Sequence, residues 1–261
     1  MTRSFAADTA LEPLAEGVWR AVVPHHWFIA TGPNGGWVAA VLARAMQAAA
    51  GRPPRSLTAH YLSAPAEGPV EVRATVERSG GTTTYLSLQM LQEGRPVVLG
   101  LGVCAEWREG APEWSDASMP VAPPPEEAVP IDPERTAVPD FWRNYEGRGV
   151  SGFPRQGEAV PAIGWIRTAE PHPLDAPLVA ALTDAWLPAA FVRVSEPVLA
   201  PTLDLTIHFR SPLPVDAGWA LLVMRTGLAA GGVWEEDGEV WSQDGTLLAQ
   251  SRQLAVVRRP R

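Results

Sequence analysis

Residues 31–37, with the sequence TGPNGGW, have the composition of a helix start that can bind a negative oxygen. Asn34 is a good N-cap residue, and Gly35 and Gly36 carry no side chain that would keep another group away from the backbone. Backbone N–H groups at a helix N-terminus carry partial positive charge and stabilise an oxyanion. Asn34, Gly35 and Gly36 are therefore candidate substrate-binding residues. The structural alternative is a helix cap with a close packing contact.

The residues that follow predict the element that holds this stretch in place. Residues 34–50 are rich in alanine and poor in polar side chains, as in a helix that other structure surrounds. Gly51, followed by Pro53 and Pro54, ends this helix. An antiparallel sheet that wraps the helix is predicted from strand patterns at 17–23, 56–62, 70–78, 83–91 and 96–105.

The second half of the chain repeats this order. A strand pattern at 162–168 precedes a helix over residues 176–186, for which Asp175 is the predicted N-cap. Further strand patterns follow at 202–212, 219–225, 231–241 and 246–257. The sequence YLSAP at 61–65 matches HFRSP at 208–212, and the turn QEG at 92–94 matches QDG at 243–245. Strand, helix, strand, hairpin and hairpin thus occur twice. The predicted fold class is α+β with a duplicated unit.

The composition limits the partners. A net charge of −8 argues against nucleic acid, because neutralising phosphates requires clustered cations. No segment has the length and hydropathy of a membrane span or a secretory signal, so we expect no membrane partner and a cytoplasmic location. The single Cys104 excludes an internal disulfide framework and a cysteine-based zinc cluster, and we expect no metal.

Three motifs together resemble the acyl-CoA thioesterase-like family with the double hotdog fold, of the acyl-CoA thioesterase II type. They are GPNGG at 32–36, TLD at 202–204 leading into HFRSP at 208–212, and QDGTLLAQSRQ at 243–253. The resemblance implies two tandem repeats, each a long helix wrapped by an antiparallel β-sheet. It gives an N-terminal hotdog over residues 1–110 and a C-terminal hotdog over 159–261. The crowded prolines predict a linker over 111–158.

The resemblance also implies catalytic residues. The Asp, Thr and Gln that hold the hydrolytic water in this family fall on Asp184, Thr202 and Gln253. A carboxylate with an ordinary pKa of about 4 is a weak base, so its surroundings must raise that pKa. A Thr hydroxyl and a Gln amide orient a water without ionising. The structural alternatives are a solvent-facing Asp184, which points away from the apolar stripe of the predicted helix, and ordinary strand positions for the other two residues.

The implied reaction is hydrolysis of an acyl-CoA or related acyl thioester, a small-molecule substrate, by a directly activated water. No cofactor is implied beyond the CoA that belongs to the substrate. Two alternatives stay open: a protein of the same fold that binds acyl groups or acyl-CoA without turnover, and a hotdog enoyl-CoA hydratase, which would need His172 and Asp175 in its pocket. We expect a homo-oligomer, because edge strands of hotdog sheets are commonly paired or covered.

Overall fold

A computed structural model of the chain describes residues 4–29, 32–136, 138–152, 161–194 and 198–259. Its helices are α1 (Phe5–Asp8), α2 (Gly35–Ala50) and α3 (Ala176–Leu182), with 3-10 turns at His25–Trp27, Asp140–Asn144 and Ala189–Arg193. Its strands are β1 (Glu12–Ala15), β2 (Val18–Val23), β3 (Pro54–Tyr61), β4 (Gly68–Ser79), β5 (Thr83–Gln92), β6 (Arg95–Ala105), β7 (Val129–Ile131), β8 (Tyr145–Ser151), β9 (Ala162–Thr168), β10 (Thr202–Phe209), β11 (Ala220–Arg225), β12 (Ala229–Ala230), β13 (Val233–Ser242) and β14 (Leu247–Val256). No helix in these described ranges is long and apolar enough to cross a membrane.

The strands form one antiparallel sheet. Its order is β1-β2-β4-β5-β6-β3-β10-β14-β13-β11-β9-β8-β7, with β12 paired to β13. The two halves of the chain meet where β3 pairs with β10, with Thr58 opposite Thr206. Outward from this junction, β6, β5 and β4 on one side correspond to β14, β13 and β11 on the other. The order of strands therefore repeats across the centre of the sheet.

Helix α2 packs against the sheet of the first half and is buried over most of its length, as its alanine-rich sequence predicts. The N-cap is Asn34, whose Oδ1 accepts a hydrogen bond from the Trp37 amide at 3.2 Å. The helix ends at Gly51, whose φ of 61° lies in the left-handed region that glycine adopts at little cost. Helix α2 is thus fixed at its N-terminus by the Asn34 cap and along its length by packing in the core.

The second helix differs from the prediction. We expected residues 176–186, but α3 ends at Leu182. The Thr183 hydroxyl donates to the Ala180 carbonyl oxygen at 2.8 Å, and the amides of residues 183–185 bond to carbonyls three positions back, so the chain tightens into 3-10-type turns. The expectation of a long helix in each repeat is therefore wrong for the second half. Asp184 lies in the turn after the helix.

Residues 111–158, which we expected to form a linker, contain two strands of the sheet. Strand β7 pairs with β8, and β8 pairs with β9. The side chains of Phe141 and Trp142 are buried, and Trp142 packs over Gly147, where a Cβ would overlap its ring. Gly147 leaves room for that ring, and the glycines at alternate positions of β8 remove the apolar alternation by which a strand is recognised in a sequence.

Candidate active site

Asp184 is held at the point where α3 ends and α2 begins. Asn34 Nδ2 donates to Asp184 Oδ2 at 3.0 Å and to the Asp184 backbone carbonyl oxygen at 2.8 Å. The Gly36 amide donates to the same carboxylate oxygen at 3.1 Å. A Cβ on Gly36 would overlap the Ala181 carbonyl oxygen, so this glycine allows the two helices to approach. Asn34, Gly35 and Gly36, predicted to bind substrate, thus meet the predicted base.

Thr202 and Gln253 lie on neighbouring strands, and their side chains meet. The Thr202 hydroxyl donates to Gln253 Oε1 at 3.0 Å. Strand β10 has a register shift between Thr202 and Asp204, which places Thr202 opposite Ala255, a buried residue of β14. A bulge of this kind changes the direction in which a side chain points, and bulges are common beside active sites. The irregularity brings the Thr202 hydroxyl to the face on which Gln253 lies.

The Gln253 side chain also forms a hydrogen bond with Asp184, so it connects Thr202 to the candidate base. Burial raises the pKa of Asp184 to about 6, and hydrogen bonds from Gly36, Gln253, Gly35 and Asn34 limit the rise. Asp184 keeps some accessible surface, yet the protein surrounds it closely enough for desolvation to be the largest effect. A carboxylate with this pKa is mostly ionised at neutral pH and is more basic than an exposed aspartate.

Two tyrosines, the half-buried Tyr61 and the buried Tyr145, complete the surroundings of Asp184. The Tyr61 hydroxyl donates to the Gly35 carbonyl oxygen at 2.8 Å. Burial, and to a smaller extent the negative charge of Asp184, raises the pKa of both Tyr61 and Tyr145. Both hydroxyls therefore stay protonated over the pH range in which Asp184 titrates.

Glu236 is a second buried carboxyl group at this site, and the sequence analysis missed it. It lies on β13 directly opposite Gln253, is 2% exposed, and accepts a hydrogen bond from Gln253 Nε2 at 3.1 Å. Its other oxygen accepts from the Ala189 amide at 2.6 Å. Strand alternation was the available signal, since Glu236 is in phase with the buried residues Trp234, Gly238 and Val240.

The amides of Gly35 and Gly36, which we expected to stabilise an oxyanion, are both occupied in this structure, because both hydrogen-bond to the Asp184 carboxylate. His172 and Asp175, the hydratase candidates, lie at the other end of α3. Asp175 accepts from the Leu178 amide at 2.8 Å as the N-cap, and its second oxygen is 3.2 Å from His172 Nε2.

The described residues include no group of three or more His, Cys, Asp or Glu side chains placed to hold a metal ion.

Two family models match the two halves of the chain. The model of the acyl-CoA thioesterase C-terminal domain matches residues 117–257, and that of the acyl-CoA thioesterase N-terminal domain matches residues 23–105. The chain belongs to the acyl-CoA thioesterase family. The two matches leave out only the ends of the chain and residues 106–116.

Relatives of this family support the architecture. A conserved protein of unknown function with a hot dog fold from Alicyclobacillus acidocaldarius is 28% identical, with both chains covered in full and a TM-score of 0.91. An acyl-CoA thioesterase II from Mycobacterium marinum is 21% identical over 98% of this chain and 99% of its own, with a TM-score of 0.78. At this identity the similarity indicates a shared fold only. An uncharacterised protein of Mycobacterium tuberculosis is 27% identical over 98% of this chain and 99% of its own. The fold is thus a hotdog fold, with a large antiparallel sheet and few helices.

Proposed function

We propose that this protein hydrolyses acyl-CoA or related acyl thioesters to the free acid and the thiol, using a directly activated water. The observation that carries the proposal is the convergence of Asp184, Thr202 and Gln253. Three separate elements bring these side chains together through hydrogen bonds at the start of α2. Membership of the acyl-CoA thioesterase family supports the same reaction class.

In this mechanism Asp184 is the general base. Its carboxylate takes a proton from a water held by Thr202 and Gln253, and the water oxygen forms a bond to the thioester carbonyl carbon. The carbonyl π electrons move to the oxygen, and the resulting tetrahedral oxyanion collapses with cleavage of the C–S bond. The proton held by Asp184 then passes to the departing sulfur. The pKa of about 6 suits a group that must both accept and return a proton near neutral pH.

We assign the oxyanion role to the backbone amides of Gly35 and Gly36. The start of α2 directs N–H groups and partial positive charge at this point. The Gly36 amide already donates to Asp184 Oδ2. To stabilise the oxyanion, the amide must share this hydrogen bond with the substrate oxygen or transfer it to that oxygen. The transfer also frees the carboxylate oxygen to accept the proton of the water.

We also propose that the two halves are tandem hotdog units, with residues 1–110 and 159–261 as the units and 111–158 as the connection between them. The corresponding order of strands on each side of the β3–β10 junction supports this division. The connection contributes β7 and β8 to the sheet of the second unit. No cofactor is required beyond CoA as part of the substrate.

We propose that the protein assembles as a homo-oligomer in the cytoplasm. Three large apolar side chains, Tyr85, Leu99 and Leu101, are exposed on the same outer face of β5 and β6, with Leu101 66% exposed. A second copy would remove them from water. Sedimentation at micromolar concentration should give a species larger than the 28.0 kDa monomer. A 28.0 kDa species alone would contradict the proposal.

Thiol release from a panel of acyl-CoAs, from short to long chains, tests the proposed reaction. We expect turnover by the wild-type protein, and loss of turnover in Asp184→Ala and Gln253→Ala variants that remain folded by circular dichroism. Absence of thiol release on every acyl-CoA, with binding retained in calorimetry, would favour a protein that binds acyl-CoA without turnover. Hydration of an enoyl-CoA that is lost in His172→Ala would instead favour the hydratase.

A further inference from the structure

Glu236 is a buried acid whose carboxylate oxygens meet only neutral partners among the described hydrogen bonds. They accept from the Ala189 amide and from Gln253 Nε2. No ion pair among the described residues includes Glu236. A buried carboxylate without a cation is costly, because hydrogen bonds from neutral donors only partly replace its hydration. Such groups are candidates for a role in a nearby site.

The hydrogen bonds around Gln253 run in one direction. An ionised carboxylate only accepts hydrogen bonds, so Glu236 requires the nitrogen end of the Gln253 amide to face it. The oxygen end of the amide then faces Thr202, and the single hydroxyl hydrogen of Thr202 is donated to it. The lone pairs of the Thr202 oxygen remain available to accept a hydrogen bond from a water.

Without Glu236 this direction would depend on Asp184 alone, which also accepts a hydrogen bond from the Gln253 side chain but is protonated in the course of the proposed reaction. The two ends of a Gln amide have nearly the same shape, and Thr202 can either donate or accept, so Thr202 alone allows both orientations of Gln253. We propose that Glu236 is a positioning residue: its carboxylate fixes the orientation of the Gln253 amide and, through it, the direction in which the Thr202 hydroxyl donates. The consequence for catalysis rests on the proposed hydrolysis, whereas the orientation of the amide does not.

Protonation of Glu236 removes this control, because a carboxylic acid can also donate a hydrogen bond. Burial raises the pKa of Glu236 to about 7, and the charges of Asp184 and Glu235 add to the rise, whereas hydrogen bonds from Ala189 and Gln253 oppose it. Other charged side chains near this part of β13 form ion pairs with each other, Asp237 with Arg252 and Glu239 with Arg225. The geometry of the water site therefore becomes less defined as the pH falls below about 7.

Glu236→Gln is the decisive variant, because it keeps the shape and the acceptor for the Ala189 amide but removes the constraint that Glu236 places on Gln253 and leaves only that of Asp184. We expect kcat on the best acyl-CoA to fall roughly 10- to 100-fold with KM changed by less than about twofold, as for a misplaced catalytic group. The acid limb of the kcat profile should also move to lower pH, since the ionisation of Glu236, with its pKa of about 7, no longer contributes to it. Asp237→Asn, on the exposed face of the same strand, is the matched control. An unchanged kcat and an unchanged pH profile in Glu236→Gln would overturn the positioning role.

A measurement that needs no turnover separates this inference from the proposed function. In an Asp184→Asn background, the side-chain amide resonances of Gln253, assigned by their loss in Gln253→Ala, should shift as Glu236 titrates between about pH 4.5 and 7. The shift should be absent in the Asp184→Asn/Glu236→Gln double variant. Resonances that do not respond to pH in the single variant would overturn the coupling, even if thioester hydrolysis is observed. Absence of hydrolysis by the wild type, with the titration present, would contradict only the proposed function.

Discussion

Asn34 and Asp184, which are 150 positions apart, are joined by two hydrogen bonds from one amide nitrogen. Asn34 Nδ2 donates to both the backbone carbonyl oxygen and the side-chain Oδ2 of Asp184. The oxygen of the same amide caps α2 by accepting from Trp37. One side chain therefore starts a helix in the first half of the chain and orients the candidate base in the second half. This arrangement allows the cap and the orientation of the base to be tested separately.

Asn34→Asp should retain the cap and lose the contact with Asp184. Aspartate is as good an N-cap as asparagine, so helix α2 should form normally. The new carboxylate cannot donate and places a like charge beside Asp184, which raises the pKa of Asp184 above about 6. We expect kcat/KM at pH 7 to fall at least about tenfold and the acid limb to move to higher pH. The measurement is a pH–rate profile beside a urea denaturation curve.

Asn34→Ala serves as the comparison, because it removes both the cap and the contact. It should cost about 1 kcal/mol of unfolding free energy and reduce activity as well. An Asn34→Asp protein with wild-type activity and an unmoved acid limb would show that the bond to Asp184 does not matter for the reaction.

The pH dependence expected of the proposed hydrolysis follows from two acids that must be ionised. Asp184, with a pKa of about 6, acts as a base only after losing its proton, and Glu236, with a pKa of about 7, orients Gln253 only in its ionised form. Activity should therefore rise with pH between about 5 and 8. Because the two groups interact, the apparent pKa values belong to the pair. A kcat/KM profile that is flat from pH 5 to 8 would contradict the assignment of Asp184 as the base.

The same two acids should make the protein less stable as the pH rises. The pKa of Asp184 is raised from 3.8 to about 6 on folding, so the folded state binds more protons than the unfolded state between these values. The resulting stability is fully present below about pH 4 and is lost as the pH rises through 6. Asp184→Asn should therefore be stabilised relative to wild type by roughly 2–3 kcal/mol more at pH 8 than at pH 4.5, at about 1.4 kcal/mol per pKa unit.

Urea denaturation of both proteins at the two pH values measures this difference. Asp237→Asn is the control, because its carboxylate is exposed and paired with Arg252, and removing it should give no gain at pH 8. Equal stability differences at pH 4.5 and 8 for Asp184→Asn would show that its pKa is not raised in the folded protein.

Local sequence signals predicted much of the fold, because they act within a few residues. Asn34 at the start of α2, Gly51 at its end and the alternation along β4 are all readable in this way. The early end of α3 could not be predicted from local signals. It depends on the hydrogen bond from the Thr183 hydroxyl to the Ala180 carbonyl oxygen and on the hydrogen bond from Asn34 to the Asp184 carbonyl oxygen. Tertiary contacts of this kind have no local signature.

The candidate site divides in the same way. Family resemblance placed Asp184, Thr202 and Gln253, but the resemblance did not include Glu236. The phase of β13 could have shown that Glu236 faces inward. Its pairing with Gln253 depends on the register between β13 and β14, which the hairpin turn at 243–245 sets and which no single residue type reveals.

The neighbouring glycines at the start of α2 should respond differently to the same substitution. A Cβ on Gly36 would overlap the backbone carbonyl oxygen of Ala181, so Gly36→Ala must push the two helices apart. Overpacking of this kind typically costs about 1–3 kcal/mol, and thermal denaturation should show it as a lower Tm. A Cβ on Gly35 would instead lie 2.9 Å from Asp184 Oδ2 and 3.4 Å from the Tyr61 ring, which are side-chain atoms that can move.

Gly35→Ala should therefore keep most of the stability and lose activity. Displacing the carboxylate weakens its hydrogen bond to the Gly36 amide, which raises the pKa of Asp184 and moves the base away from the water. We expect kcat/KM to fall roughly 10- to 100-fold, as for other small displacements of a catalytic group. The paired measurement is Tm and kcat/KM for both variants. One outcome would contradict this prediction: Gly35→Ala lowers the Tm as much as Gly36→Ala does, and its folded fraction keeps the wild-type kcat/KM. Gly35 would then be a packing residue, and the start of α2 would not position the base.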